Sequence, residues 1–421
     1  MKKIVKGMCV MLTAVSLLAG CGKSKVVMED YVRTNPVTWN VNGIMKSDTG
    51  YYYAAGVGQL MSLHYYDIES GQNIFLCNKP ECLHEGDDFC TATSDKYSVI
   101  STCLYGEEIY MNVVETTDTE YICKLLRVSK DGTKLSEVIT YQTVNKTSVS
   151  LMTGAPMMIH RGKVVLPYRF GGNNGSHQIY GTYIYDLSSK KLEKLEEVEV
   201  DTYWEGRDRF TGYGDYIYFN TYVDNKNKLS RYCLSDGSIE DMELLVNYQG
   251  IYEVLDENTI IYNRGNLNLY EYNISTKESI DHGDYLATQS EAERIKNELK
   301  VGTVTSLEFT DMASDGTNFY VTMFIEFRDF SFAGTHTYTG SPEMKFIPKI
   351  HVYNDKLEHV VSVAIDVEKL LGRSGNCSLA ILDDVVYLQT AEKVFCCTKE
   401  DFLTGEPMFE ELYEINVDIR E

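Results

Sequence analysis

The sequence predicts an all-β chain closed into a β-propeller, read as seven blades, with six to eight compatible with the spacing. Three observations lead there. Tyrosine is abundant, with 32 residues against seven prolines, and it favours pleated, half-buried surfaces where its hydroxyl stays near water. A two-residue apolar or Tyr phrase returns seven times after a polar or Gly-containing turn. Its copies are Tyr52-Tyr53, Ile109-Tyr110, Val164-Val165, Ile217-Tyr218, Ile261-Tyr262, Phe319-Tyr320 and Val386-Tyr387. Most units then carry a second strand ending in a turn, such as Tyr66-Asp67-Ile68-Glu69-Ser70-Gly71, Tyr185-Asp186-Leu187-Ser188 or Tyr232-Cys233-Leu234-Ser235-Asp236-Gly237. Short strands separated by Gly, Asp and Ser turns build hairpins. Units 44 to 67 residues apart, each of three or four strands, fit blades that cover one another's apolar faces in a ring. A two-domain β-sandwich is the alternative. It gives no reason for a phrase that returns along the whole chain.

The chain opens on a segment of another kind. Lys2, Lys3 and Lys6 precede an apolar run from Met8 to Leu18, and Leu18-Ala19-Gly20-Cys21 follows ahead of Gly22-Lys23-Ser24-Lys25. Basic, apolar and small-residue regions in that order read as a secretory signal, and the run is too short to span a bilayer. Cysteine directly after Leu-Ala-Gly resembles the lipobox of bacterial lipoproteins. That resemblance implies removal of residues 1–20, acylation of Cys21 and a palmitate-bearing anchor. Residues 21–34 are then a tether and residues 35–421 a single propeller domain. Within that domain, Val37-Thr38-Trp39-Asn40-Val41 is a candidate to close the last blade.

The formal charge is −23 over 421 residues. Such acidity opposes nucleic acid phosphates and repels anionic headgroups, so the expected membrane attachment runs through acyl chains on Cys21. No nucleic acid partner is expected.

Two insertions interrupt the repeat. Thr288-Gln289-Ser290-Glu291 has the form of a capping box, and Ala292, Ile295 and Leu299 then share a helical face, so one short helix is expected. The stretch from Phe327 to Pro348 contains Phe330, Phe332 and Tyr338 between Gly334 and Gly340. It is either a ligand-touching loop or an extended hairpin. Tyr203-Trp204-Glu205-Gly206-Arg207-Asp208-Arg209 sets an aromatic platform beside charges. Trp204, Arg207 and Arg209 are therefore candidates for a carbohydrate or peptide site, or for an ion pair between blades.

Cys77-Asn78-Lys79-Pro80-Glu81-Cys82-Leu83-His84, followed by Cys90, gathers three thiols and an imidazole within a short stretch. Cys77, Cys82, His84 and Cys90 can form a tetrahedral site, and that donor set suits zinc. On an extended chain Cys82 and His84 point to the same side. Disulfides are the competing reading, with Cys90 joined to Cys77 or Cys82 and Cys103 available to the remaining thiol. Cys123, Cys233 and Cys377 sit in strand-like contexts as small hydrophobes, and Cys396-Cys397 point to opposite faces.

Tyr66-Asp67-Ile68-Glu69-Ser70-Gly71, the Leu76 to His84 stretch and Cys90-Thr91-Ala92 together resemble propeller lipoproteins of anaerobic Gram-positive bacteria. The resemblance implies a TolB-like or WD-repeat-type propeller on the outer face of the cell membrane, and it brings no activity with it. No Walker phosphate loop, HExxH or G-x-S-x-G occurs in the sequence. The function expected is therefore non-enzymatic binding of a ligand or protein at the cell surface. A propeller enzyme acting on glycans or peptides, and a metal- or redox-responsive module built on the Cys/His cluster, stand as alternatives.

Overall fold

The chain was described as a computed structural model covering residues 33–34 and 43–415. Internal breaks include 173–177, 201–208, 284–289, 329–343 and 371–377. Seven antiparallel sheets follow one another along the sequence, so the predicted propeller has seven blades. Blade 1 holds β2 (Met45–Lys46), β3 (Gly50–Val57), β4 (Leu60–Asp67), β5 (Asn73–Phe75) and β6 (Thr93–Ser94). Blade 2 holds β7 (Tyr97–Tyr105), β8 (Glu108–Thr116), β9 (Glu120–Ser129) and β10 (Leu135–Asn145). Blade 3 runs from β11 (Val149–Leu151) and β12 (Met158–His160) through β13 (Lys163–Gly172) and β14 (Gln178–Asp186) to β15 (Leu192–Val200). Blade 4 is β16 (Phe210–Tyr213), β17 (Tyr216–Val223), β18 (Lys226–Cys233) and β19 (Ile239–Leu245), joined by β1 (Arg33–Thr34). Blade 5 is β20 (Tyr252–Val254), β21 (Thr259–Tyr262), β22 (Tyr270–Asn273) and β23 (Glu278–Asp281). Blade 6 is β24 (Thr303–Ser314), β25 (Asn318–Arg328), β26 (Met344–Asn354) and β27 (His359–Ala364). Blade 7 is β28 (Ser378–Leu382), β29 (Val385–Gln389), β30 (Lys393–Thr398) and β31 (Glu410–Glu414).

Each recurring phrase lies on the second strand of its blade, and the reason is packing. Adjacent strand residues face opposite sides of a sheet, and in a propeller each side meets a different neighbour. Ile109 packs with Met45, Ala54 and Leu63 of blade 1, while Tyr110 packs with Ile159 and Val164 of blade 3. Phe319 likewise faces blade 5 and Tyr320 faces blade 7. A half-polar strand would leave one of those neighbours uncovered. Burying a large apolar side chain contributes about 1.5–3 kcal/mol, so the phrase is demanded seven times over.

The buried side chains form seven clusters, one at each junction between blades, and the last joins blade 7 to blade 1. There Tyr51 and Tyr53 meet Tyr387 and Tyr413, and the Tyr51 and Tyr387 hydroxyls lie 3.1 Å apart. Blade 7 takes all four strands from one continuous stretch. Among the described residues, blade 7 meets blade 1 through this packing. Val37–Val41, the expected closing strand, lies outside them. Cys396 packs toward blade 1 and Cys397 toward blade 6, as opposite faces require.

The second phrase also has a structural meaning. In six blades the residue just after the third strand donates its N–H to the turn between the first two strands. Ile68 donates to Thr49, Leu187 to Gly162 and Leu234 to Asp215, at 2.9–3.1 Å. The Asp or Asn of the phrase organises the turn itself: Asp67 Oδ1 accepts the Ser70 N–H at 2.7 Å, and Asp186 Oδ1 accepts that of Ser188 at 2.8 Å. Both phrases therefore converge on one side of the disc, hereafter the turn face.

The insertions resolve in part. Ser290, Glu293, Arg294 and Asn297 are helical and exposed. The flanks of the second insertion are strand, pairing out to Arg328 opposite Met344, so the hairpin extends into it. Phe330, Phe332 and Tyr338 lie outside the described residues. A one-turn helix, α1 (Lys399–Phe402), was not expected; Thr398 caps it and Phe402 is buried beneath it. Among the described residues, no helix is long and apolar enough to cross a membrane.

Candidate functional site

The Cys/His motif is an excursion from the outer edge of blade 1. β4 pairs with β5 through His64–Tyr66 and with β6 through Met61–Ser62, so one edge position is filled by two pieces of chain. The break falls at Leu63. Its carbonyl accepts the Leu76 N–H at 2.9 Å and its N–H donates to the Ala92 carbonyl at 2.8 Å. The loop thus leaves and returns at a single residue. Its base is docked on blade 2, where Thr91 Oγ1 donates to the Gly132 carbonyl at 2.7 Å and the Asn78 N–H donates to the same carbonyl at 3.2 Å. Gly132 has φ +68° and lies so close to Leu76 and Cys77 that a Cβ would meet the Leu76 carbonyl at 2.8 Å. Only glycine fits that turn.

Within the loop, Cys77, Cys82, His84 and Cys90 bring their ligand atoms within 4.8 Å of one another. The convergence does not come from strand alternation, as the spacing of Cys82 and His84 suggested. The Cys82 N–H bonds the Lys79 carbonyl at 3.0 Å, and His84 adopts a left-handed φ of 56°. The chain therefore curls around a point. His84 Nδ1 lies 3.5 Å from Cys90 Sγ, and a tetrahedron with bonds of about 2.0–2.3 Å has edges of roughly 3.5–3.8 Å. The Thr93 N–H points at Cys90 Sγ from 3.2 Å, and the Phe75 ring packs on the His84 ring at 4.6 Å.

The thiols are unequal. Burial pushes Cys77 up, but contacts from Thr91, from Cys82 and from the Lys79 backbone outweigh it and hold the thiol below its ordinary range. Burial pushes Cys82 up to about 12, reinforced by the neighbouring Cys90 and Cys77 thiols. Three crowded sulfurs cannot all ionise alone; a cation would displace the remaining protons. No disulfide joins Cys77, Cys82 or Cys90 in this structure. Cys103 lies elsewhere, on the innermost strand of blade 2, with its thiol toward the Leu104 carbonyl. It cannot serve as a disulfide partner for the rim loop.

The second polar assembly lies in the central channel. β1 runs antiparallel to the channel edge of β16, with Arg33 opposite Tyr213 and Thr34 opposite Gly212. Arg33 Nη1 donates to Glu253, and Nη2 donates to the Leu255 carbonyl at 2.7 Å. Arg209 donates to Glu253 at 3.1 Å, to Asp311 and to the Met312 carbonyl, so it ties blade 4 to blades 5 and 6. The Glu253 side chain is fully buried. His160 donates from Nε2 to the Gly214 carbonyl at 2.9 Å, which leaves Nδ1 to accept from the Thr34 hydroxyl at 2.9 Å. Burial holds its pKa down and favours that neutral ring, although the Gly214 bond opposes the shift. Gly212 makes this possible, because a Cβ there would strike His160 Cγ at 2.4 Å.

Beside Thr34, a cavity of about 770 Å³ opens on the turn face, lined mainly by blades 7, 1, 2 and 3. Met45, Met157 and Met158 form part of its wall, and Lys46, Glu107 and Asp383 stand at its rim. Ile68 lines the mouth and is 49% exposed.

Arg209 is thus an ion-pairing residue between blades; Trp204, Arg207 and Cys21 lie outside the described residues. Sequence reasoning missed Arg33, Glu253, Asp311 and His160. One signal was available: Glu253 is a lone charge within Ile251-Tyr252-Glu253-Val254-Leu255.

No protein-family model matches the sequence, and no curated protein matches it. Among solved structures, the chain is similar to Pyrococcus horikoshii acylaminoacyl peptidase (orthorhombic crystal form), with 9% identity and a TM-score of 0.42 over 89% of this chain and 52% of that one. An acylaminoacyl peptidase in complex with Z-Gly-Gly-Phe-chloromethyl ketone gives the same values. A nidogen/laminin complex gives 8% identity and a TM-score of 0.30 over 75% of this chain and 92% of that one. The chain spans about half the length of the peptidase structures, 52% of each.

Proposed function

We propose that this protein is a lipid-anchored, extracytoplasmic propeller that binds a ligand or protein at its channel mouth, with zinc ordering the rim loop. The cavity on the turn face carries this reading. Its volume lies in the range of about 300–1,000 Å³ typical of ligand pockets, and its lining mixes methionines with polar and charged side chains. The enzymatic alternative needs free acids in the channel, whereas Glu253 and Asp311 are engaged by Arg33 and Arg209.

The experiment is photo-crosslinking in cells, with a photoreactive residue at position 68 on the mouth and a control at Ile280, exposed on blade 5. A discrete adduct specific to position 68 supports recognition there; identical patterns at both positions refute it. The anchor rests on Leu18-Ala19-Gly20-Cys21. Cys21→Ser should move the protein out of the membrane fraction or leave it uncleaved.

For the metal, the donor chemistry and the His84–Cys90 spacing support zinc held by Cys77, Cys82, His84 and Cys90. Protein prepared without oxygen should contain about one zinc per chain. A metal-free protein with Cys90 oxidised to Cys77 or Cys82 would make the loop a disulfide staple instead.

A further inference from the structure

We propose that the channel edge of β16, together with Glu253 and the Leu255 carbonyl, is a binding seat for an extended segment bearing a guanidinium, and that Arg33–Thr34 is its resident occupant. Among the described strands, blade 4 is the sheet whose channel edge takes a strand from outside its own stretch of sequence. Adding an extended segment to a sheet edge is a general mode of peptide recognition, with backbone bonds for affinity and side-chain contacts for specificity. Here the specificity contacts can be named. Two guanidinium nitrogens of Arg33 reach two different acceptors, Glu253 and the Leu255 carbonyl, and the Tyr213 ring lies 5.2 Å from the guanidinium carbon. A planar fork satisfies both acceptors at once and stacks on an aromatic ring, whereas a lysine ammonium is a point charge. Thr34 adds the bond to His160.

Charge completes the argument. Arg33 and Arg209 face Glu253 and Asp311, so the four groups are neutral only with Arg33 in place. Without it the cluster keeps a net negative charge and Glu253 loses one of its two guanidinium partners. A vacated seat therefore attracts a cation, and its geometry selects arginine.

The test uses the full chain. Arg33→Ala should melt below the wild type, and millimolar Nα-acetyl-arginine amide should raise its Tm by about 1 °C. The lysine analogue should do less, and neither should move the wild type, whose seat is filled. An Arg33→Ala protein that is indifferent to the arginine probe overturns the proposal. A second measurement needs no variant. Phenylglyoxal should modify the exposed Arg294 of the folded wild type and spare Arg33. Equal modification of both would overturn the seat, and a dimer that dissociates on Arg33→Ala would overturn its occupation by the chain's own strand.

Discussion

The rim loop and the channel both gather polar groups, and they are built in opposite ways. The rim loop draws four donors from residues 77–90, leaves and rejoins blade 1 at Leu63, and rests its base on the Gly132 turn of blade 2. The channel cluster draws Arg33, Arg209, Glu253 and Asp311 from far along the chain and ties three blades together. A local site can be lost without the ring, whereas an assembled one is part of the ring. The difference is therefore one of mechanical consequence as well as chemistry.

The strongest way to break that contrast is to open the ring itself. Deleting the chain from Val385 onward removes β29 to β31 and uncovers the faces of blades 6 and 1. The whole protein should then lose its β signal in circular dichroism. A six-blade remainder with a native spectrum would show that blades stand alone.

Next in size is Glu253→Ala. It leaves Arg33 without its carboxylate partner and Arg209 with Asp311 alone, a change of the class that costs about 3–5 kcal/mol. Urea denaturation should show one cooperative transition at lower midpoint. A loss no larger than that of the rim variant below would remove the distinction between the two regions.

Acid sharpens the comparison at intermediate scale. His351 is buried, and burial, with Lys349 and His359 nearby, holds its pKa down from 6.5 to about 3. Its folded form is neutral, while the unfolded chain takes up a proton below pH 6.5. Its effect on stability is thus nil above pH 6.5 and grows unfavourable between pH 6.5 and 3, by up to about 1.4 kcal/mol per pH unit. His351→Gln should flatten the fall in stability over that range without altering the acid release of metal from the rim. Parallel curves for the two proteins would show that this histidine is not the titrating group.

The smallest expected effect on the ring is that of His84→Ala. Zinc content should fall and hydrogen exchange should quicken in residues 76–92, with the main unfolding transition nearly unmoved. Global unfolding on loss of this imidazole would mean that the loop is structural to the ring.

The same contrast explains what could be read from sequence. The propeller was legible because each blade must offer apolar groups on both faces of its second strand, so Ile109-Tyr110 and Phe319-Tyr320 repeat a physical demand. The donor cluster was legible because its members are neighbours in the chain. Its geometry was not, since the left-handed turn at His84 replaces the extended path that residue spacing implied. The channel escaped because Arg33 meets Glu253 only after the ring has formed. The cavity escaped for the same reason: its wall comes from four blades.

The seat of β1 also sets a leash. With the proposed anchor at Cys21, eleven residues lie between it and Arg33, and an extended chain of that length reaches at most about 40 Å. β1 pairs with β16 at the end that leads into the Gly214-Asp215 turn, so Arg33 is the residue of β1 nearest the turn face. The mouth of the cavity would then look down on the bilayer across a gap no wider than a small domain. Large soluble partners would be sieved out, and molecules travelling along the membrane would have the shorter approach.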